Sequence, residues 1–217
     1  MKSFKISEAV ISRLPIYLRF LNDLSHRGIQ TVSSQDLGEK LDLNPAQIRK
    51  DLAYFGEFGR KGVGYNVDYL IEKIRQILKL DQPMNVALVG TGNLGRALCN
   101  YNMYQRDNMK IVAVFDADET KRGQFINHLT IRPMNEMAEV VRDHDISVGI
   151  ITVPAAEAQS VADQFISAGV RGILNFAPVV LKSHSGVRIH HVDFTAELLS
   201  LAYYMDNNQD KSEGESK

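Results

Sequence analysis

The run Asn85-Val86-Ala87-Leu88-Val89 leads into Gly90-Thr91-Gly92-Asn93-Leu94-Gly95, and no other stretch narrows the fold as far. Apolar residues running into Gly-x-Gly-x-x-Gly read as a strand that turns sharply into a helix. Gly90 permits the turn, Gly92 lets backbone N–H groups approach a pyrophosphate, and Gly95 lets the helix close on its strand. The helix N-terminus then faces the anion. A second apolar run, residues 111–115, ends in Asp116, about 20 residues past the glycines, where a carboxylate can accept the ribose hydroxyls. The glycine pattern alone also describes a tight turn in an ordinary α/β sheet. The strand before it, the helix after it and the acid together point to a dinucleotide. Asp116 favours NAD(H) over NADP(H), because a carboxylate repels a 2′-phosphate. Lys121 and Arg122 bear on this choice, either as partners for such a phosphate or as a solvated basic pair at a helix start.

The fingerprint lies in the second part of a 217-residue chain, which leaves room for another unit ahead of it. Net charge is −1, which taken whole argues against a nucleic-acid binder. The charge is unevenly spread: residues 1–80 carry 13 Lys+Arg against 9 Asp+Glu, and residues 81–217 carry 12 against 17. A mildly basic N-terminal unit on an acidic C-terminal one is expected. The first residues lead into a charged helical pattern rather than a signal peptide, and the single cysteine, Cys99, offers neither disulfide nor metal cluster. A cytoplasmic protein with a core-packing thiol is the simplest expectation.

In the N-terminal part, residues 6–27 read as helix, kinked or divided at Pro15. Ser33 with Asp36 three positions on reads as one helix start. Asn44-Pro45 with Gln47 reads as a second, running to about residue 55. Two short helices across so tight a turn form a helix-turn-helix. On the second helix, the face opposite Ile48 and Leu52 holds Ala46, Lys50, Ala53 and Tyr54, flanked by Gln47 and Arg49. Small residues there let a helix sit deep in a groove while Arg, Lys and Gln reach bases or phosphates. Residues 56–67, with four glycines and Arg60-Lys61 at the tip, read as a β-hairpin, the wing of a winged helix. DNA is the expected partner, and a protein-docking module is the alternative. Asp68 is expected to cap a further helix over residues 69–80, with the boundary at Asp81-Gln82-Pro83.

The remainder alternates strand and helix, predicting a parallel sheet covered on both faces. Strands are expected at 85–90, 110–115, 147–153, 171–175 and 187–192, and helices at 93–105, 118–127, 134–143 and 155–168. Thr152-Val153-Pro154-Ala155 and Asn175-Phe176-Ala177-Pro178 end two strands at the edge where ligands bind, and read equally as walls for adenine or nicotinamide or as plain turns. The expected fold is therefore α/β: a winged-helix DNA-binding domain (1–80) and a Rossmann-like NAD(H)-binding domain (84–192). A dimerisation helix (193–206) and a disordered tail (207–217) follow. Asp193 caps that last helix, whose apolar residues occupy more than one side and so call for more than one surface, a partner subunit among them.

These residues resemble the Rex family of bacterial redox-sensing transcriptional repressors over nearly the whole chain. The likeness rests on Arg13-Leu14-Pro15-Ile16-Tyr17, Val32-Ser33-Ser34, residues 48–56, Gly62-Val63-Gly64-Tyr65-Asn66-Val67, residues 90–95, Ile173-Leu174-Asn175-Phe176 and residues 189–193. It implies a homodimer that binds palindromic operators and releases them when NADH binds, with the last helix exchanged between subunits. It implies that Tyr101 and a partner's Phe194 line the nicotinamide pocket, and that Arg13 and Asp193 pair across subunits near Tyr101 as the switch. DNA contacts fall to Ser33, Ala46, Gln47, Arg49, Lys50, Tyr54, Arg60 and Lys61. Ser7 stands where the family often has proline, and Lys50 where arginine is common, which weakens bidentate base reading. The rival classes are an NAD-dependent dehydrogenase and a CoA- or other nucleotide-responsive regulator. The first lacks an evident catalytic constellation among the six histidines.

Overall fold

The computed structural model describes residues 6–54, 56, 59–60, 64–101, 109–183 and 186–213. The chain divides into two compact units, Met1–Gln82 and Pro83–Lys217. The division falls within the expected linker.

The first unit opens with α1 (Glu8–His26), which runs unbroken through Pro15, so of the two expectations there, a kink or a division, the division is not met. Ser7 accepts a hydrogen bond from the Val10 N–H, so a serine at the position of the family's proline serves as a helix cap. A short strand, β1 (Thr31–Val32), leads to α2 (Ser34–Leu41), whose N-terminus is a complete capping box between Ser33 and Asp36. Asp42 (φ 52°) turns the chain into α3 (Pro45–Ala53), capped by Asn44. The wing consists of β2 (Gly59–Arg60) and β3 (Gly64–Asn66), with β3 central to a three-stranded antiparallel sheet beside β1. Gly64 holds φ +87°, and a Cβ there would meet the Val32 carbonyl at 2.6 Å, which explains a glycine where wing and β1 close. The following helix, α4 (Val67–Ile77), is capped by Asn66 rather than Asp68, which instead accepts from Ser25 Oγ at 2.7 Å. Leu14, Leu21, Leu37, Ile48, Leu52, Leu70 and Ile74 form one core, which fixes α3 on its apolar side and leaves the opposite side to solvent.

The second unit is a seven-stranded sheet. β4 (Met84–Val89) passes through α5 (Asn93–Asn100) to β5 (Met109–Asp116). Residues 118–127, expected as helix, form instead a single 3-10 turn (Glu119–Lys121) and then β6 (Phe125–Ile126), antiparallel to β7 (Leu129–Pro133). Gly123 (φ +76°) and Asn127 (φ 53°) break helical continuity there, and Phe125, Ile126, Ile131 carry the β-branched and aromatic bias of strands. A 3-10 turn (Met134–Glu136) and α6 (Met137–Asp143) lead to β8 (Ile146–Ile151), α7 (Ala155–Ala168), β9 (Gly172–Asn175) and β10 (Arg188–His191). The order is β10-β9-β8-β4-β5-β7-β6, parallel except for β6. From β4 the chain proceeds outward through β5 and returns to β4's other side with β8. That reversal creates a crevice at the carboxyl ends of β4 and β8, where ligands bind in such sheets. The last helix, α8 (Phe194–Glu213), opens under Asp193, which accepts from the Thr195 and Ala196 N–H groups. It extends past Met205, so residues 207–213, expected as disordered tail, are helical.

Candidate nucleotide crevice and nucleic-acid face

The glycine turn is built as its spacing implies. Gly90 sits at φ +100°, where a Cβ would meet the Thr152 carbonyl at 2.7 Å; at Gly95 a Cβ would collide with the Gly90 carbonyl; at Gly92 it would meet nothing within 4 Å. Two glycines are therefore demanded by packing and the middle one faces open space. The Thr152 hydroxyl, 2.8 Å from the Gly90 carbonyl, ties the ends of β8 and β4 together at the reversal point.

The crevice encloses about 710 Å³ and is lined by Gly90, Thr91, Gly92, Asp116, Val153 and Pro154 from the expected set. Thr152 and Lys121, both noted in the sequence, line it too, as do Asp118 and Met134, which spacing did not single out. Asp116 is heavily committed. Its Oδ2 accepts from the Thr91 N–H at 2.8 Å, the Thr91 hydroxyl and Lys121 Nζ at 3.0 Å, while Oδ1 accepts from the Asp118 N–H at 2.9 Å. Burial pushes this carboxyl upward, but the bonds from Thr91, Asp118 and Lys121 outweigh it and hold it at about 2. The acid is thus ionised and immobile, and Oδ1 is the oxygen with capacity left for a ribose hydroxyl. Spacing gave both ribose hydroxyls to this carboxylate, whose Oδ2 already accepts three hydrogen bonds within the chain. Arg122 leans toward Glu119 and Glu136 (3.8 and 3.9 Å) and does not line the crevice.

Other expected residues fall elsewhere. Asn93, Leu94 and Gly95 form the first turn of α5 behind the glycine loop. Phe176 packs with Leu98, Cys99 and Leu174 against the sheet rather than in the crevice wall. Burial pushes the Cys99 thiol up to about 11, in keeping with a packing role. Tyr101, at the C-terminal end of α5, lines a separate cavity with Lys110, His128 and His144. Phe194 is 74% exposed, so one chain does not place it in a pocket. Asn175 was read as a possible wall, yet it is fully buried, with its amide spent on the Ala177 and Val179 carbonyls and the Ala177 N–H. Among the described residues no cluster could hold a metal, and no helix is long and apolar enough to cross a membrane.

In the first unit, Ala46, Arg49, Lys50, Ala53 and Tyr54 are exposed on α3, a small, basic strip opposite the core. Two expected contacts are otherwise engaged. Gln47 Nε2 donates to Asp51 at 2.6 Å, and Ser33's hydroxyl is spent on Asp36 in the cap. Arg49 Nη1 donates to Ser34 Oγ at 2.9 Å, which pins the guanidinium across the helix-turn-helix. Arg60 lies on β2, and its side chain, like all of Lys61, falls outside the described residues.

Asp51 is the feature that spacing missed. It is fully buried, and its carboxylate accepts from Arg13 Nε (2.6 Å), Arg13 Nη2 (2.8 Å), the Tyr17 hydroxyl (2.7 Å) and Gln47. Burial opposes its charge, but the Arg13, Tyr17 and Gln47 bonds outweigh that and hold it below the usual carboxylate range. Beside the carboxylate, the Arg13 hydrogen bond raises the guanidinium's pKa further. Arg13, expected as a switch, is in this structure the anchor of the recognition helix.

A winged-helix unit with an exposed basic recognition strip, followed by a doubly wound unit with a dinucleotide crevice, defines a nucleotide-responsive DNA-binding regulator. The comparisons narrow the class. One family model, "CoA binding domain", matches residues 81–179, and another, "Putative DNA-binding protein N-terminus", matches residues 5–53. The redox-sensing transcriptional repressor Rex of Brevibacillus brevis is 56% identical over 204 residues, covering 94% of this chain and 99% of that protein. The Rex of Carboxydothermus hydrogenoformans is 50% identical over 203 residues, covering 94% and 98%. RSP, a Rex-family repressor solved in complex with β-NAD+ and operator DNA, matches at TM-score 0.88 and 33% identity, covering 98% of this chain and 99% of RSP. Its complex with β-NADH matches at 0.87 and 31%, covering 97% and 99%. The chain belongs to the Rex family of redox-sensing transcriptional repressors.

Proposed function

We propose that this protein is a cytoplasmic homodimer that represses transcription from palindromic operators and releases them when NADH occupies the crevice. One observation carries the reading: an ionised, pre-positioned Asp116 beside a glycine turn, and an exposed basic recognition strip, occur in one chain. Likeness to RSP over nearly its full length, in complexes with operator DNA and with β-NADH, supports it.

NADH and NAD+ share the ADP-ribose half, so Gly90–Gly95 and Asp116 do not tell them apart. The nicotinamide ring does: burying its oxidised, cationic form among apolar walls is costly, and a dry pocket prefers the neutral reduced form. The resemblance gives those walls to the partner subunit's Phe194 and to Tyr101, which in the single chain lines a separate cavity. Signalling requires in addition that NADH bind the DNA-free arrangement more tightly than the DNA-bound one. The exposed apolar side chains of α8, including Leu198, Leu199, Leu201 and Tyr204, fit a helix buried only in a dimer.

Asp193 caps α8 through Oδ1, which leaves its other oxygen for an interface arginine. Arg13 holds Asp51 through Nε and Nη2 and its side chain is 21% exposed, which leaves Nη1 to meet the partner subunit's Asp193 while the buried pair stays intact. The test is a gel shift with the full chain and a palindromic duplex selected by the protein from a random pool. NADH should release the duplex at concentrations where NAD+ does not. CoA should neither release it nor displace NADH, and either effect would favour the reading suggested by the CoA-binding family model. Retention of the duplex at saturating NADH would refute the proposal.

A further inference from the structure

Three charged side chains meet at the ribose corner of the crevice. Lys121 Nζ lies 3.0 Å from Asp116 Oδ2 and 3.8 Å from Asp118 Oδ2, and all three residues line the wall. The 3-10 turn that carries Lys121 is itself capped by Asp118, through the Thr120 N–H at 3.0 Å, so lysine and acids form one local unit. Among the described residues lining the crevice Lys121 is the one cation, set against Asp116, Asp118 and Glu157.

A lone carboxylate at the end of the second strand excludes a ribose 2′-phosphate by charge. Here that charge is bridged by an ammonium group 3.0 Å away and only 30% exposed. Lysine is a compact charge on a flexible stem, able to turn from the carboxylates to a phosphate without leaving the corner. We propose that Lys121 sets the selectivity between NADH and NADPH by neutralising Asp116 and meeting a 2′-phosphate, so that this site discriminates against NADPH far less than its acid alone would. The inference rests on the reading of the crevice as the dinucleotide site.

The experiment is titration of the full chain with NADH and NADPH, following nucleotide fluorescence, in wild type and in Lys121→Met. Removing the cation should raise the ratio of the NADPH Kd to the NADH Kd at least fivefold, and added salt should shrink that increase by screening the exposed repulsion. A ratio unchanged or lowered in Lys121→Met overturns the role of Lys121 while leaving the crevice intact. Wild-type protein that binds neither nucleotide overturns the dinucleotide reading instead. If Lys121→Met loses both nucleotides, Lys121→Arg and Lys121→Gln decide: a higher ratio in the glutamine variant supports the proposal, and equal ratios overturn it.

Discussion

Arg13→Ala tests the anchor of the recognition helix. The substitution removes two charge-assisted bonds, at 2.6 and 2.8 Å, from a carboxylate with no exposed surface. Stripping one partner from a buried pair costs about 3–5 kcal/mol. Tyr17 and Gln47 still donate to Asp51, and the Arg13 side chain is 21% exposed, so the cost falls below that range. We expect about 2–3 kcal/mol, a large share of the stability of a unit this size. The chain has two units, so a single global transition would blur the effect. Hydrogen exchange on the intact protein, read by mass spectrometry on peptides from α1 and α3, isolates it: protection of their slowest amides should fall about 30- to 150-fold at pH 7. The pH dependence carries a sign. Asp51 is depressed in the folded state, so its contribution is present above its unfolded value, near 3.9, and is lost as pH falls through the lower folded value. In the variant the buried acid loses its cation and its pKa rises. The gap to wild type should therefore narrow below about pH 4. Asp51→Asn on the Arg13→Ala background should be markedly less harmful than on wild type. Protection within threefold of wild type, or strict additivity of the two substitutions, would refute the argument.

Asp116→Ala should weaken NADH binding and reduce discrimination against NADPH; unchanged titrations for both nucleotides would remove Asp116 from the site. Because its carboxyl is held at about 2, ADP-ribose affinity should show no Asp116 titration between pH 7 and 4, and a midpoint near 4 would contradict the hydrogen-bond account. Arg49→Ala should cost about 1–3 kcal/mol in operator binding and relax one base position, whereas a uniform loss across sequences with a lower salt slope would make it a phosphate contact. Gln47→Ala should leave the pattern of base preference unchanged, since its Nε2 is held on Asp51 and turns the amide toward the core; a relaxed position in a selected-sequence profile would show that it reads DNA after all. Leu198→Glu with Leu201→Glu should weaken self-association about 100-fold or more, from about 1.5–3 kcal/mol for each leucine kept from burial. An unchanged sedimentation profile would place the dimer interface elsewhere.

What the sequence made legible follows from the range of its signals. The glycine turn, the Asn44-Pro45 helix start and the Ser33–Asp36 box are each encoded within a few residues and found where spacing puts them. The errors have local causes too. Around Gly123 and Asn127 a charged, turn-rich stretch reads as helix until the positive φ values show a hairpin. Asn66 outcompetes Asp68 as cap because β3 delivers it to the helix start one residue before Val67.

The buried partner of Arg13 was missed for another kind of reason. Arg13 and Asp51 stand 38 residues apart, and nothing periodic links a polar residue on one helix to an acid on another. A signal was present nonetheless. Gln47 and Asp51 are spaced i, i+4 on α3, a pairing that helices favour, and Asp51 lies between Lys50 and Leu52 at the border of the apolar face. An acid in that position on a helix meant for DNA is repelled by phosphate and must be neutralised from within the protein. Tyr17 and Arg13, i and i+4 on α1 with the tyrosine hydroxyl and guanidinium converging on that acid, do so. Arg13, which the resemblance pairs with Asp193 across subunits, is together with Tyr17 what allows, on electrostatic grounds, an acid to stand on the recognition helix at all.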